Sequence, residues 1–240
     1  YNRKRKQDQS LKDTTMLDIQ YDPELSRDRP SAKYTELLDQ YITMHSSAKG
    51  MFDGKSLTKF IYIIDGFLKS NKCKSLLDYG AGKGTLYTED YKRLTNVIDK
   101  PLTEYWELDK IDRYEPALAE YNVLSSDKYD AVICTDVLEH VPETDLGWVA
   151  DEILERSNKM AFFNIACYPA MKTFEDGTNV HVSVFEPNVW LNFFSDKIRN
   201  YKNLSIYLFF DVMNANHKAI SLEGFKIDNN PRVIQLRQEE

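Results

Sequence analysis

Two groups of residues in this chain have types and spacing that could do chemistry. The first is Asp78-Tyr79-Gly80-Ala81-Gly82-Lys83-Gly84, which follows the apolar run Ser75-Leu76-Leu77. Glycine at every second position leaves a turn with few side chains, so a ligand can lie against the main chain. Amides at its far end, where a helix could begin near Thr85, suit a negatively charged group. Asp78 adds negative charge and suits a ligand that carries an ammonium group. A dinucleotide site favours G-x-G-x-x-G; here Gly84 comes one residue early and Thr85 stands in the glycine's place.

The second group is Asp136, Glu139 and His140, with His181 further on. On a helix the first three share one face, at i, i+3 and i+4. His181 could close the group from a later loop. Carboxylates with imidazoles suit Mg²⁺, Mn²⁺ or zinc. Each histidine is also a candidate general base, since its titration range spans neutral pH. A hydrogen-bonded structural histidine is the plainer alternative for either.

A third feature is an acid at a strand tip. Lys110 to Tyr114 reads as a short strand ending at Glu115, because Pro116 cannot donate to a ladder but suits a first helical turn. In Rossmann-like sites such an acid accepts bonds from ribose hydroxyls. Glu115 lies 31 residues beyond Gly84, against the usual ~20, which implies an insertion. Glu107 and Asp109 are nearer rivals.

The elements that must position these residues follow from periodicity. Helices are expected over 31–44 and 56–69, capping the site, or as a purely structural hairpin. A strand is expected over Ser75–Tyr79, then a helix from Leu86 to Ile98. Residues 117–127 should hold a short helix and a third strand near Asn122–Leu124. Tyr129–Cys134 reads as a buried strand. A helix from Asp145 presents Leu146, Val149, Ala150, Ile153 and Leu154. Met160–Ile165 is a strand and Pro187–Phe194 a helix. Leu204–Phe210 and Val233–Leu236 could form a closing antiparallel pair, with Ala219–Ile227 competing for a place. Alternation of strand and helix argues a parallel sheet with right-handed crossovers.

Lys and Arg total 31 against 38 Asp and Glu, a formal charge of −7. A broad nucleic-acid surface is not expected from that balance, although Arg3-Lys4-Arg5-Lys6 is a local basic run. Cys73, Cys134 and Cys167 are odd in number and lack metal-type spacing, so a reduced, cytoplasmic protein is expected. No apolar run approaches the ~18 residues of a membrane span, and no signal-peptide pattern is read. Residues 1–30 are polar and without clear period, an extension to the domain.

The Asp78-x-Gly80-x-Gly82-x-Gly84 pattern resembles motif I of the class I S-adenosylmethionine-dependent methyltransferases. The Thr135–Val141 segment resembles their Asp-x-Val strand followed by Leu-Glu-His-Val. The likeness covers roughly residues 73–194 and is nearest to small-molecule enzymes with a Leu-Glu-His segment. It extends to an uncharacterised bacterial and phage group with a Cys-Tyr-Pro-Ala turn, here Cys167–Ala170, and a later Asn-x-His, here Asn179–His181. It implies a Rossmann-like α/β fold: a mostly parallel sheet, an antiparallel last strand and helices on both faces. Residues 1–72 would form an N-terminal extension and helical cap, and 73–240 the methyltransferase domain. It implies S-adenosylmethionine held by the turn Asp78, Tyr79, Gly80, Ala81, Gly82 and Gly84, with Asp78 toward the amino group. Glu115 would hold the ribose, and Thr135 and Asp136 would lie near the sulfonium. The methyl would pass to an oxygen or nitrogen of a small polar metabolite or sugar, with His140 or His181 as base. The acid-x-x-Glu-His cluster is also similar to small-RNA 2′-O-methyltransferases, which implies an alternative in which Asp136, Glu139, His140 and His181 hold a metal over a ribose. A cofactor-binding module without catalysis is a third reading.

Overall fold

The computed structural model describes residues 18–47, 52–213, 220–228 and 232–236. The Arg3–Lys6 run lies outside them. Seven strands form one sheet: β1 (Ser75–Tyr79), β2 (Lys110–Tyr114), β3 (Tyr129–Thr135), β4 (Ser157–Ala166), β5 (Ser205–Met213), β6 (Ile220–Asp228) and β7 (Val233–Leu236). Their order is β2-β1-β3-β4-β5-β6-β7. The first five are mutually parallel. β6 pairs antiparallel with β5, and β7 antiparallel with β6. All three apolar tail segments therefore enter the sheet, and the first of them extends the parallel set.

Alternation along the strands divides the core into two layers, because successive side chains point to opposite faces. Leu76, Ala131, Ile133, Met160, Phe162 and Phe209 pack with Phe60, Ile61, Ile64 and Leu68 around helix α2 (Ile61–Ser70). Leu77, Val132, Cys134, Phe163, Ile165 and Leu208 pack on the other face. There they meet α4 (Leu146–Arg156) and α5 (Pro187–Lys197). The five apolar residues expected on α4 are all buried, at 0 or 1% exposure. Each of the Leu, Ile and Val side chains contributes roughly 1.5–3 kcal/mol by leaving water. Helix α1 (Ala32–Ser47) touches the second layer through Tyr34, which meets Trp148 of α4, while its Leu37 packs with Phe174 and Val180 over the carboxyl edge of the sheet. Between β1 and β2 the only α-helix among the described residues is the short α3 (Leu102–Tyr105).

Three expected elements do not form. The stretch expected as one helix over Leu86–Ile98 is instead a pair of 3₁₀ turns, Thr85–Tyr87 and Glu89–Arg93. Thr88 between them is extended, and its hydroxyl accepts the Asp90 amide, restarting the chain as a cap does. The third strand near Asn122–Leu124 is absent, and 117–127 holds no helix. Here the chain doubles back: Glu115 N donates to Tyr121 O, and Arg113 ties to the Tyr121 hydroxyl at 2.8 Å. Val123 is left 83% exposed. β2 is consequently an edge strand.

Candidate ligand and metal site at the carboxyl edge

β1 delivers Asp78 and then the glycine turn to the carboxyl edge of the sheet, where open α/β sheets bind ligands. Gly80, Gly82 and Gly84 all have positive φ. A Cβ on Gly80 would stand 2.3 Å from Val137 Cγ2, and one on Gly82 would stand 2.2 Å from the Phe52 carbonyl oxygen. The room these glycines make is thus taken by the protein itself. So are their amides. Gly80 and Ala81 both donate to Tyr114 O, Lys83 to Phe52 O, and Gly84 to Ala81 O. Gly82 donates to Glu115 Oε2 at 3.1 Å. What the turn offers a ligand is side chains at its rim rather than N–H groups, and no α-helix begins at Thr85 to add a dipole.

Asp78 is one of those side chains. It is buried, and it accepts the Tyr87 hydroxyl at 2.8 Å. Burial pushes its pKa up to about 7; the Tyr87 bond pulls the other way, and Glu115 raises it further. It lines a cavity of about 20 Å³ with Gly80, Ala81, Thr85 and Thr135. That is room for about one water, whereas pockets for nucleoside-sized ligands run to ~300 Å³ or more. The cover comes from Asp53, Gly54, Ser56 and Leu57 on the opposite wall.

Glu115 follows β2 and reaches the same turn. Besides the Gly82 amide it accepts the Ala117 amide at 3.1 Å. Burial raises its pKa against those two bonds. Its rivals are elsewhere: Glu107 and Asp109 precede β2, at the amino end of the sheet, and both are exposed. Strand direction separates them from a turn that follows the carboxyl end of β1.

β3 ends at Thr135. Asp136 then takes a left-handed conformation, φ 61°, with its amide on Asn164 O at 3.0 Å. Residues Leu138–His140 form a single 3₁₀ turn, not an α-helix. The shared helical face expected for Asp136, Glu139 and His140 therefore does not exist. Glu139 points inward, fully buried, and its Oε1 accepts the Ala166 amide at 2.7 Å. Its Oε2 has no partner among the described residues. Burial first, and Asp136 second, drive its pKa well up.

Asp136, His140 and His181 do converge: their ligand atoms all lie within 4.8 Å of one another. The His140 and His181 rings meet edge to face with centroids 4.7 Å apart. Each presents the same nitrogen. His140 Nδ1 lies 2.9 Å from Val180 O, and His181 Nδ1 lies 2.7 Å from Tyr168 O. A carbonyl only accepts, so both Nδ1 atoms carry a proton, and in a neutral ring the lone pair is left on Nε2. Burial pushes His140 down to about 4, with Asp136 opposing. Two imidazole lone pairs and a carboxylate fit a divalent cation of borderline softness better than a hard, oxygen-seeking one. Neutral His140 has a lone pair free to accept a proton, but a ring pushed that low is a weak base at pH 7.

Sequence reasoning offered the first helix as a cap but named none of its residues for the site. Tyr41 Oη lies 2.8 Å from His140 Nδ1 and donates to Val180 O. One turn further on, His45 Nε2 lies 4.0 Å from Glu115 Oε1. The only local signal was their i, i+4 spacing, which an apolar helix face shares. Asn179 pins the later histidine: its side chain bonds both the amide and the carbonyl of Ala170 and accepts the His181 amide. No family model, curated protein or solved structure matches this chain.

Proposed function

We propose that this chain is an S-adenosylmethionine-dependent methyltransferase whose acceptor is an oxygen or nitrogen of a small polar metabolite or sugar. The observation that carries this reading is the pair Asp78 and Glu115. They leave the carboxyl ends of neighbouring parallel strands and flank one glycine turn. An acid on each side of such a turn suits a ligand with an ammonium group at one end and ribose hydroxyls at the other. Beside them Thr135 and Asp136 lead to the two histidines.

The cofactor, when bound, supplies a methyl group already activated by its sulfonium. The chain then has three tasks. Asp78 answers the ammonium charge, and Glu115 accepts from the ribose. Thr135 and Asp136 orient the reacting end against the acceptor, since positioning supplies much of the rate. An acceptor that holds its proton at neutral pH releases it to Nε2 of His140 or His181. Calorimetric titration with S-adenosylhomocysteine, followed by transfer of labelled methyl from the cofactor to a metabolite extract, tests the reading. Binding with transfer supports it. Binding without transfer to any acceptor leaves a non-catalytic module.

The convergence of Asp136, His140 and His181 favours a second reading, methyl transfer to a ribose assisted by a metal. Those three residues would hold the ion, which would polarise an acceptor hydroxyl there. Titration with Zn²⁺, Mn²⁺ and Mg²⁺, together with salt-dependent RNA binding, separates this reading from the first. The formal charge of −7 weighs against RNA.

A further inference from the structure

The contact that α1 makes with the glycine turn is poorly satisfied. His45 is buried, yet its Nδ1 has no partner among the described residues. Its Nε2 stands 4.0 Å from Glu115 Oε1, too far for a hydrogen bond. Burial, and Lys83 after it, push its pKa down to about 4, so the ring is neutral and no ion pair forms at pH 7. Phe52 stacks on His45 with centroids 4.4 Å apart and planes 15° apart. Its φ is 57°, a left-handed conformation that a bulky residue takes only when its surroundings impose it. Its carbonyl presses on Gly82 and takes the Lys83 amide at 2.7 Å.

One unsatisfied imidazole and one strained phenylalanine thus lie together against Glu115 and the glycine turn. Both conditions raise the energy of the packed state. A ribose would supply what His45 does not, hydroxyls that donate to Glu115. A purine would supply the flat face that the His45–Phe52 stack now supplies. We propose that His45 and Phe52 are an internal plug, a stacked aromatic pair held where the nucleoside of the cofactor binds and expelled when it does. This rests on the cofactor reading above.

The plug has a sign that sets it apart from a ligand contact. Removing a contact weakens binding, whereas removing a competitor strengthens it. The test is calorimetry with S-adenosylhomocysteine on the wild-type chain, His45→Ala and Phe52→Gly, with circular dichroism to establish folding. Ala suits the helix at 45, and Gly accepts the positive φ at 52, so two independent variants probe the same pair. The expected result is tighter binding in each, by roughly tenfold if the plug leaves about a tenth of the molecules open. Equal or weaker binding in the folded variants, with the wild type binding, overturns the plug alone. Silence from all three overturns the cofactor reading and the plug with it.

Discussion

Asp136 and His181 arrive from loops after different strands, and their ligand atoms meet within 4.8 Å, with His140 between them in the chain. Asp136 follows β3, and His181 lies beyond β4, in the loop that Asn179 pins to Ala170. On the metal reading, His181→Ala and Asp136→Asn should each weaken Zn²⁺ or Mn²⁺ binding by at least roughly tenfold, since supporting partners alone matter at that scale. Glu139→Gln should weaken it less, because Oε1 is committed to the Ala166 amide. Calorimetry with each ion checks this; equal loss in all three variants would return Glu139 to the ligand set.

Asp78 carries a pH signature. Its pKa is raised from 3.8 to about 7 in the folded chain. Between those values the folded state holds a proton that the unfolded state has released. Stability contributed by the neutral carboxyl is therefore full below about pH 4, falls as pH rises to about 7, and is flat above. The total is on the order of 4 kcal/mol. Asp78→Asn removes the titration. Urea melts should show the variant gaining on the wild type as pH rises from 4 to 8, while its affinity for the cofactor falls.

Gly80→Ala should be destabilising by about 2 kcal/mol, from a φ of 85° together with the clash against Val137 Cγ2. Val137→Ala in the same chain should recover part of this, because it removes the clash and leaves the φ strain. A double-mutant cycle on urea midpoints measures the coupling.

Arg27 straps the N-terminal segment to the sheet. Its guanidinium bonds both oxygens of Glu152 and the Tyr114 hydroxyl, and the Tyr79 hydroxyl also donates to Glu152 at 2.8 Å. Arg27→Ala leaves a largely buried carboxylate with the Tyr79 bond and its ion pair to Arg156. Because Arg27 is itself partly exposed, the expected loss is moderate, about 2 kcal/mol. Equilibrium unfolding of Arg27→Ala and Glu152→Gln checks it.

Much of the frame was legible from local pattern. β1 announced itself as an apolar run into glycines, β2 by Pro116 after Glu115, and α4 by five apolar residues at helical spacing. These features depend on neighbours in sequence. What was not legible depends on distant partners or on one dihedral. Thr88 broke a helix by becoming extended. Asp136 took a positive φ, so that Glu139 turned inward while His140 stayed at the edge. The residues 122–124 lost their strand because Tyr121 was tied back to Glu115 and Arg113. Tyr41 and His45 reach the site only through the docking of α1, which nothing in their own neighbourhood encodes.

The central claim is that Asp78 and Glu115 around the glycine turn hold a sulfonium nucleoside. Calorimetric titration of S-adenosylhomocysteine into the wild-type chain, Asp78→Asn and Glu115→Gln tests it directly. One-site binding by the wild type, weakened at least roughly tenfold by either change, is the expected result. No heat of binding in the folded wild type, or affinity untouched by both substitutions, would contradict it.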